Sequence, residues 1–317
     1  MKRTVGSGMA MGGALALLAT LAGCGTTENN TSSTAANGTS NAKVIQAVGA
    51  ENEYANVIQQ IGGKYVSATG IMSDPSTDPH DYEASTKDAA LVGNATLVVQ
   101  NGVGYDDFMS KLESSSPNSK RVVIDVASAL GYGKDTKNPH LWYQPDTMPK
   151  VAQLIADQLA KQDPSEKSYF DANVKKFDAS LSTWKQEMDT IKSKYPNTGV
   201  AVTEPVADYW LQAAGMDIKT PWSFQAAIMN GTDPSPQDVK TQEALFNHHQ
   251  IKVFLYNQQA ITDVTKKFLA LAKQDHIPVV GVYETMPPNH TYQSWMEAET
   301  KALTAALANG TSTETIS

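Results

Sequence analysis

Val44-Ile45-Gln46-Ala47-Val48, Val66-Ser67-Ala68-Thr69-Gly70-Ile71-Met72, Leu97-Val98-Val99-Gln100 and Arg121-Val122-Val123-Ile124-Asp125-Val126 follow one another in the first half of the chain, and what separates them decides the fold. Each run has the length and β-branched composition of a strand. Between them lie helical patterns at Glu51 to Ile61, Ser85 to Gly93 and Tyr105 to Leu112. Strands that alternate with helices predict a mainly parallel sheet covered on both faces. The second half repeats this outline, with strand-like runs at Gly199 to Thr203, Met216 to Thr220, Ile251 to Tyr256 and Pro278 to Tyr283. Its helical stretches fall at Ala207 to Ala214, Pro236 to His248 and Asp263 to Asp275. The expectation is an α/β protein with two mainly parallel-sheet lobes, at residues 43–147 and 196–310. The duplication is one of topology, because no residue-level repeat accompanies it.

Residues 148–195 read as helical, interrupted at Asp163-Pro164-Ser165, where proline suits the first turn of a new helix. Beyond it Phe170, Val174, Phe177, Leu181, Trp184, Met188 and Ile191 recur at spacings of three and four. This pattern predicts a long rigid helix of about 30 residues and about 45 Å joining the lobes; two shorter helices within one domain are the alternative. A last helix, Tyr292 to Ala308, closes the fold, and the Ser/Thr-rich tail at 311–317 is expected to fray.

With 317 residues, 41% hydrophobic and 18% charged, the chain can bury a substantial core. A formal net charge of −8 argues against nucleic-acid binding, since no basic patch is present to release counterions from phosphates. Lys2 and Arg3 precede a short apolar run that ends in Leu21-Ala22-Gly23-Cys24. That is the layout of a secretory signal, residues 1–23, closed by a bacterial lipobox in which Cys24 is lipidated. Residues 24–42 are small and polar and read as a flexible tether, leaving the protein anchored to the membrane surface without spanning it. Cys24 is the only cysteine, so no internal disulfide can form.

Four points carry a shared chemistry. His80 sits in Asp78-Pro79-His80-Asp81, an imidazole on a proline-stiffened loop among carboxylates. His140 sits in Asn138-Pro139-His140, while Glu204 and Glu284 directly follow the strands Val200 to Thr203 and Pro278 to Tyr283. In open α/β sheets ligands bind beyond the carboxyl ends of the strands, so the four are expected to meet one divalent ion in the interlobe cleft. His290, on the Pro287-Pro288 loop, is the alternative to Glu284 as fourth ligand. His248, His249 and His276 are expected to be solvated. Asn101, Asp81 and Tyr283 are candidate partners that would orient the ligands.

Asp78-Pro79-His80-Asp81-Tyr82-Glu83, Asn101-Gly102-Val103-Gly104-Tyr105, Asn138-Pro139-His140-Leu141-Trp142-Tyr143 and Thr203-Glu204-Pro205 occur in this order. Over residues 43–308 the chain thereby resembles the solute-binding lipoproteins of manganese and zinc ABC transporters. The resemblance implies two lobes joined by a rigid helix, a metal held between them by His80, His140, Glu204 and Glu284, and delivery of that cargo to a membrane permease. It also implies a monomer that is not an enzyme. Zinc-specialised members usually carry a His-rich loop, absent here, and a histidine where this chain has Glu204. Carboxylate oxygens are harder donors than imidazole, which favours Mn²⁺ over Zn²⁺ as cargo, although Zn²⁺ binds more tightly to most such sites. The competing readings are a secreted metal-dependent hydrolase and a surface adhesin. Against the hydrolase, the chain has no His-Glu-x-x-His helix, Gly-x-Ser-x-Gly elbow or phosphate-binding glycine loop.

Overall fold

The computed structural model describes residues 44–76 and 79–316. The signal segment, Cys24 and the tether lie outside the described residues, as do Asp78 and Ser317. The first lobe runs β1 (Ile45–Glu51), α1 (Asn52–Gly62), β2 (Val66–Met72), α2 (Thr86–Asn94), β3 (Leu97–Gln100), α3 (Phe108–Ser115), β4 (Val122–Asp125) and α4 (Val126–Leu130). Three helices follow: α5 (Thr147–Gln162), α6 (Lys167–Ser180) and α7 (Ser182–Lys194). The second lobe runs β5 (Gly199–Val202), α8 (Asp208–Ala213), β6 (Asp217–Ile218), α9 (Trp222–Met229), α10 (Pro236–Asn247), β7 (Val253–Asn257), α11 (Asp263–Gln274), β8 (Val279–Val282) and α12 (Tyr292–Asn309).

Each lobe holds a four-stranded sheet, in the orders β2-β1-β3-β4 and β6-β5-β7-β8. Every strand pair is parallel. The two orders are the same, so the duplication legible in the sequence is carried into space. Helix starts follow their local chemistry: Ser85, Ser235, Thr262 and Thr291 each accept a backbone N–H in the first turn of α2, α10, α11 and α12. The main core is continuous from Leu97 and Val99 in one sheet to Val200, Leu255 and Val280 in the other. Trp142, Tyr143, Trp184, Trp210, Tyr292 and Trp295, all fully buried, fill the space between.

Two sequence expectations are corrected. The single rod predicted through Phe170 and Ile191 is two helices, α6 and α7, that meet at Leu181. At the join the Ser180 hydroxyl donates to the Phe177 carbonyl at 2.6 Å, the acceptor that the Leu181 N–H would use in a regular helix. That N–H bonds Asp178 O instead, at 3.2 Å. The tail does not fray. Thr313 N–H donates to Val279 O and Gly281 N–H to Thr313 O, each at 2.8 Å, so the segment adds to the edge of β8. Two helices, α4 and α9, lie outside the helical stretches that the sequence pattern marks. α9 follows Pro221, a legible start, but its Trp222-Ser223-Phe224-Gln225 opening shows no clear one-sided pattern.

Candidate metal centre

His80 occupies a single 3-10 turn, Pro79–Asp81, between β2 and α2. Its side chain is 26% exposed and its Nε2 lies 3.4 Å from Glu284 Oε2. His140 immediately precedes a second 3-10 turn, Leu141–Tyr143, and is fully buried. Its Nε2 lies 3.1 Å from the same Glu284 oxygen. Glu284 stands two residues beyond β8 and is also fully buried. One donor atom from each of these three residues falls within 4.8 Å of the others, which makes them the group, among the described residues, that could hold a metal ion.

Glu204, two residues beyond β5, is not in that closest trio. It joins through Asn257, the last residue of β7, whose Nδ2 donates to Glu204 Oε1 and, at 2.7 Å, to Glu284 Oε1. The sheet order explains this, because β7 lies between β5 and β8. His290 lies elsewhere, its Nδ1 3.3 Å from Ser294 Oγ at the start of α12. Of the two fourth-ligand candidates, the structure brings Glu284 to the histidines. His248, His249 and His276 are exposed.

The residue that orients His140 is Asn138, which stands in the same motif but is not among the partners the sequence suggests. Asn138 Oδ1 accepts from His140 N–H at 3.0 Å and lies 2.8 Å from His140 Nδ1. The Asn138 Nδ2 donates to Pro205 O at 2.7 Å, so its carbonyl is the end facing the ring. This assigns the proton to Nδ1 and leaves Nε2 with a lone pair aimed at Glu284. The expected partners act otherwise. Asn101 works one step back, its Nδ2 donating to Pro139 O at 2.8 Å, and Tyr283 contributes its backbone carbonyl to Tyr143 at 2.8 Å; the side chain of Asp81 lies outside the described residues.

The Asn101-Gly102-Val103-Gly104-Tyr105 loop supplies a further donor. Its three central residues have φ of 82°, 50° and 85°, and a Cβ on Gly102 would lie 2.7 Å from Asp125 Oδ1, so glycine is required there on both counts. Asp106 holds the loop by accepting the Asn101 and Gly102 N–H groups. The turn delivers the Tyr105 hydroxyl to Glu284 Oε2 at 3.0 Å.

Electrostatics match a cation. Burial pushes His140 below the usual imidazole range, partly opposed by its hydrogen bond to Glu284. Burial also opposes ionisation of Glu284, but hydrogen bonds and charge from the His140 and His80 rings, when these carry the extra proton, overcome it and hold its carboxyl well below the usual carboxylate range. A lone pair and a carboxylate oxygen that face each other in a dry site need a cation or a shared proton between them. Behind them lie buried carboxyls that no motif in the sequence marks. Burial pushes Glu51 and Glu53 well above the carboxylate range, and Asp106 up to about 6. Two imidazole nitrogens with carboxylate oxygens form a donor set suited to a divalent transition metal.

The model of a family described as the periplasmic zinc-uptake complex component A, ZnuA, matches residues 48–306. The high-affinity zinc uptake system protein ZnuA of Bacillus subtilis (strain 168) is 22% identical over 211 residues, which are 61% of this chain and 65% of that protein. The manganese-binding lipoprotein MntA of Halalkalibacterium halodurans is 25% identical over 217 residues, 67% and 69% of the two chains. The chain thus matches about two thirds of the length of these curated relatives. The solved periplasmic zinc binding protein TroA from Treponema pallidum shares the fold with a TM-score of 0.71 at 18% identity, covering 84% of this chain and 100% of that one. Among the described residues no helix is long and apolar enough to cross a membrane. Because the family match takes in both sheets and all four candidate ligand positions, this chain belongs to the ZnuA family.

Proposed function

We propose that the protein is the extracytoplasmic solute-binding component of an ABC transporter. It captures one divalent transition-metal ion between its lobes at His80, His140, Glu204 and Glu284 and delivers it to a membrane permease for uptake. It works as a monomer without catalysing a reaction, tethered to the membrane surface by a lipid on Cys24. The observation that carries the metal reading is His140: its Nδ1 is committed to Asn138, so its Nε2 lone pair faces Glu284 Oε2 at 3.1 Å. A divalent cation resolves that opposition. The zinc and manganese proteins among the relatives support the cargo class, and Glu204 as a hard donor favours manganese over zinc.

The test is calorimetric titration of the metal-stripped chain from Gly25 onward with Mn²⁺ and Zn²⁺ separately, with a thermal melt of each complex. One tight site per chain and a raised melting point are expected, since an ion that binds only the folded state stabilises it by mass action. His80→Ala should abolish tight binding without unfolding the protein. Absence of saturable binding of either ion to the wild type would sink the reading.

A further inference from the structure

The role of Asn257 goes beyond holding two side chains in place. We infer that Asn257 is a positioning residue that fixes how many carboxylate oxygens the site offers a metal ion, and thereby tunes its preference between four-coordinate and six-coordinate cations. The inference rests on the metal reading above and deepens it.

The geometry is over-determined. Asn257 is fully buried at the end of β7. Strand pairing sets Val202 opposite Leu255 and Asn257 opposite Val282, so Asn257 stands level with Glu204 on one side and just before Glu284 on the other. Its main-chain N–H donates to Thr203 Oγ1 at 3.0 Å, which locks the strand end. Its Oδ1 accepts the Gln259 N–H at 3.0 Å, so the amide cannot flip without losing that bond and turning an oxygen onto two carboxylates. A primary amide has two N–H bonds. Both are spent here, one on Glu204 Oε1 and one on Glu284 Oε1.

The consequence is a division of labour within Glu284. Oε1 faces Asn257, while Oε2 faces His80, His140 and Tyr105. Gln259 stiffens the same arrangement, its Oε1 accepting Glu284 N–H at 2.7 Å and Thr285 N–H at 2.9 Å. A carboxylate bound through one oxygen counts once toward the coordination number, whereas one bound through both counts twice. With Oε1 of each acid held by Asn257, each acid is left one oxygen, Oε2, to offer, so with the two imidazoles the proposed site would supply four donors, the number that Zn²⁺ prefers. Mn²⁺ favours about six donors, largely oxygen. Asn257 therefore limits the preference for manganese that the two acids would otherwise confer.

The experiment compares wild type, Asn257→Ala and Asn257→Ser. Affinities for Mn²⁺ and Zn²⁺ are measured by calorimetric competition, coordination number by X-ray absorption at each metal edge, and integrity by thermal unfolding of the metal-free proteins. Alanine removes both donors, so the coordination number of bound Mn²⁺ should rise and the ratio of Mn²⁺ to Zn²⁺ affinity should increase roughly tenfold or more, the scale of outer-sphere effects on metal sites. Serine has one hydroxyl proton and can hold only one acid, so it should fall between. Equal losses for both ions at an unchanged coordination number would reduce Asn257 to a structural residue and overturn the inference. So would an unchanged ratio in a folded serine variant. A wild type that binds neither ion would instead overturn the metal reading itself, and the inference with it.

Discussion

At the scale of single residues, Asn138 decides what His140 can do. Its carbonyl fixes the ring tautomer while its amide reaches across to Pro205 O, so one side chain aims a ligand and ties the two lobes. Asn138→Ala should weaken metal affinity roughly 10–100-fold, read by calorimetry, while far-UV circular dichroism stays unchanged. Wild-type affinity in that variant would remove Asn138 from the site. The sequence displays the Asn138-Pro139-His140 motif plainly, yet the partners it suggests are Asn101, Asp81 and Tyr283. An asparagine two residues before a histidine reaches its ring only if the backbone between them turns, and here it does, with Asn138 Oδ1 accepting the His140 N–H at 3.0 Å. Nothing in the spelling of the motif shows that turn.

Among the elements, the ends of strands carried the clearest information. Glu204 and Glu284 were legible as site candidates because each follows an apolar run that had to be a buried strand. The C-terminal segment was illegible for the opposite reason. Its pairing with β8 uses backbone groups, which every residue has, so a Ser/Thr-rich composition concealed it. The one clue is Gly281, where a Cβ would run into the carbonyl of Glu314. Gly281→Ala should therefore loosen the segment and destabilise the protein by about 1–3 kcal/mol. The checks are denaturant unfolding and the rate of proteolysis after Gly310. A variant as stable and as resistant as the wild type would mean that the segment does not depend on this close approach. The break between α6 and α7 is of the same kind, since Ser180 reads as an ordinary surface serine until its hydroxyl is seen on Phe177 O.

For the molecule as a whole, Glu299 on α12 ties the closing helix to the join between lobes. It is fully buried and accepts from Trp295 Nε1 at 2.7 Å, while the Tyr143 hydroxyl lies 2.8 Å from both its Oε2 and Tyr283 O. Burial pushes its carboxyl from 4.5 up to about 8, against the hydrogen bonds it receives. The folded state thus holds this proton more tightly than the unfolded one. The stability it confers is whole below about pH 4.5 and is lost as pH rises through about 8. Glu299→Gln removes the ionisation and should melt higher than the wild type at pH 9, by the equivalent of a few kcal/mol, with the gap closing toward pH 5. Melting curves at both pH values check this. A constant gap would place the effect in packing and not in the proton.

Two parallel sheets, their repeated order of elements and the four residues to examine at their carboxyl edges follow from the residue order alone. They do so because periodicity, strand length and chain order are local properties, and the parallel α/β rule converts them into a cleft. It took the folded chain to show that Glu284, and not His290, meets the histidines, that Asn257 joins the two acids, and that three buried carboxyls, Glu51, Glu53 and Asp106, lie near the site. Each of these depends on which strands become neighbours and which way a side chain turns at a strand end. Residues 204, 257 and 284 are far apart in the chain, and β7 pairing between β5 and β8 is what makes them adjacent.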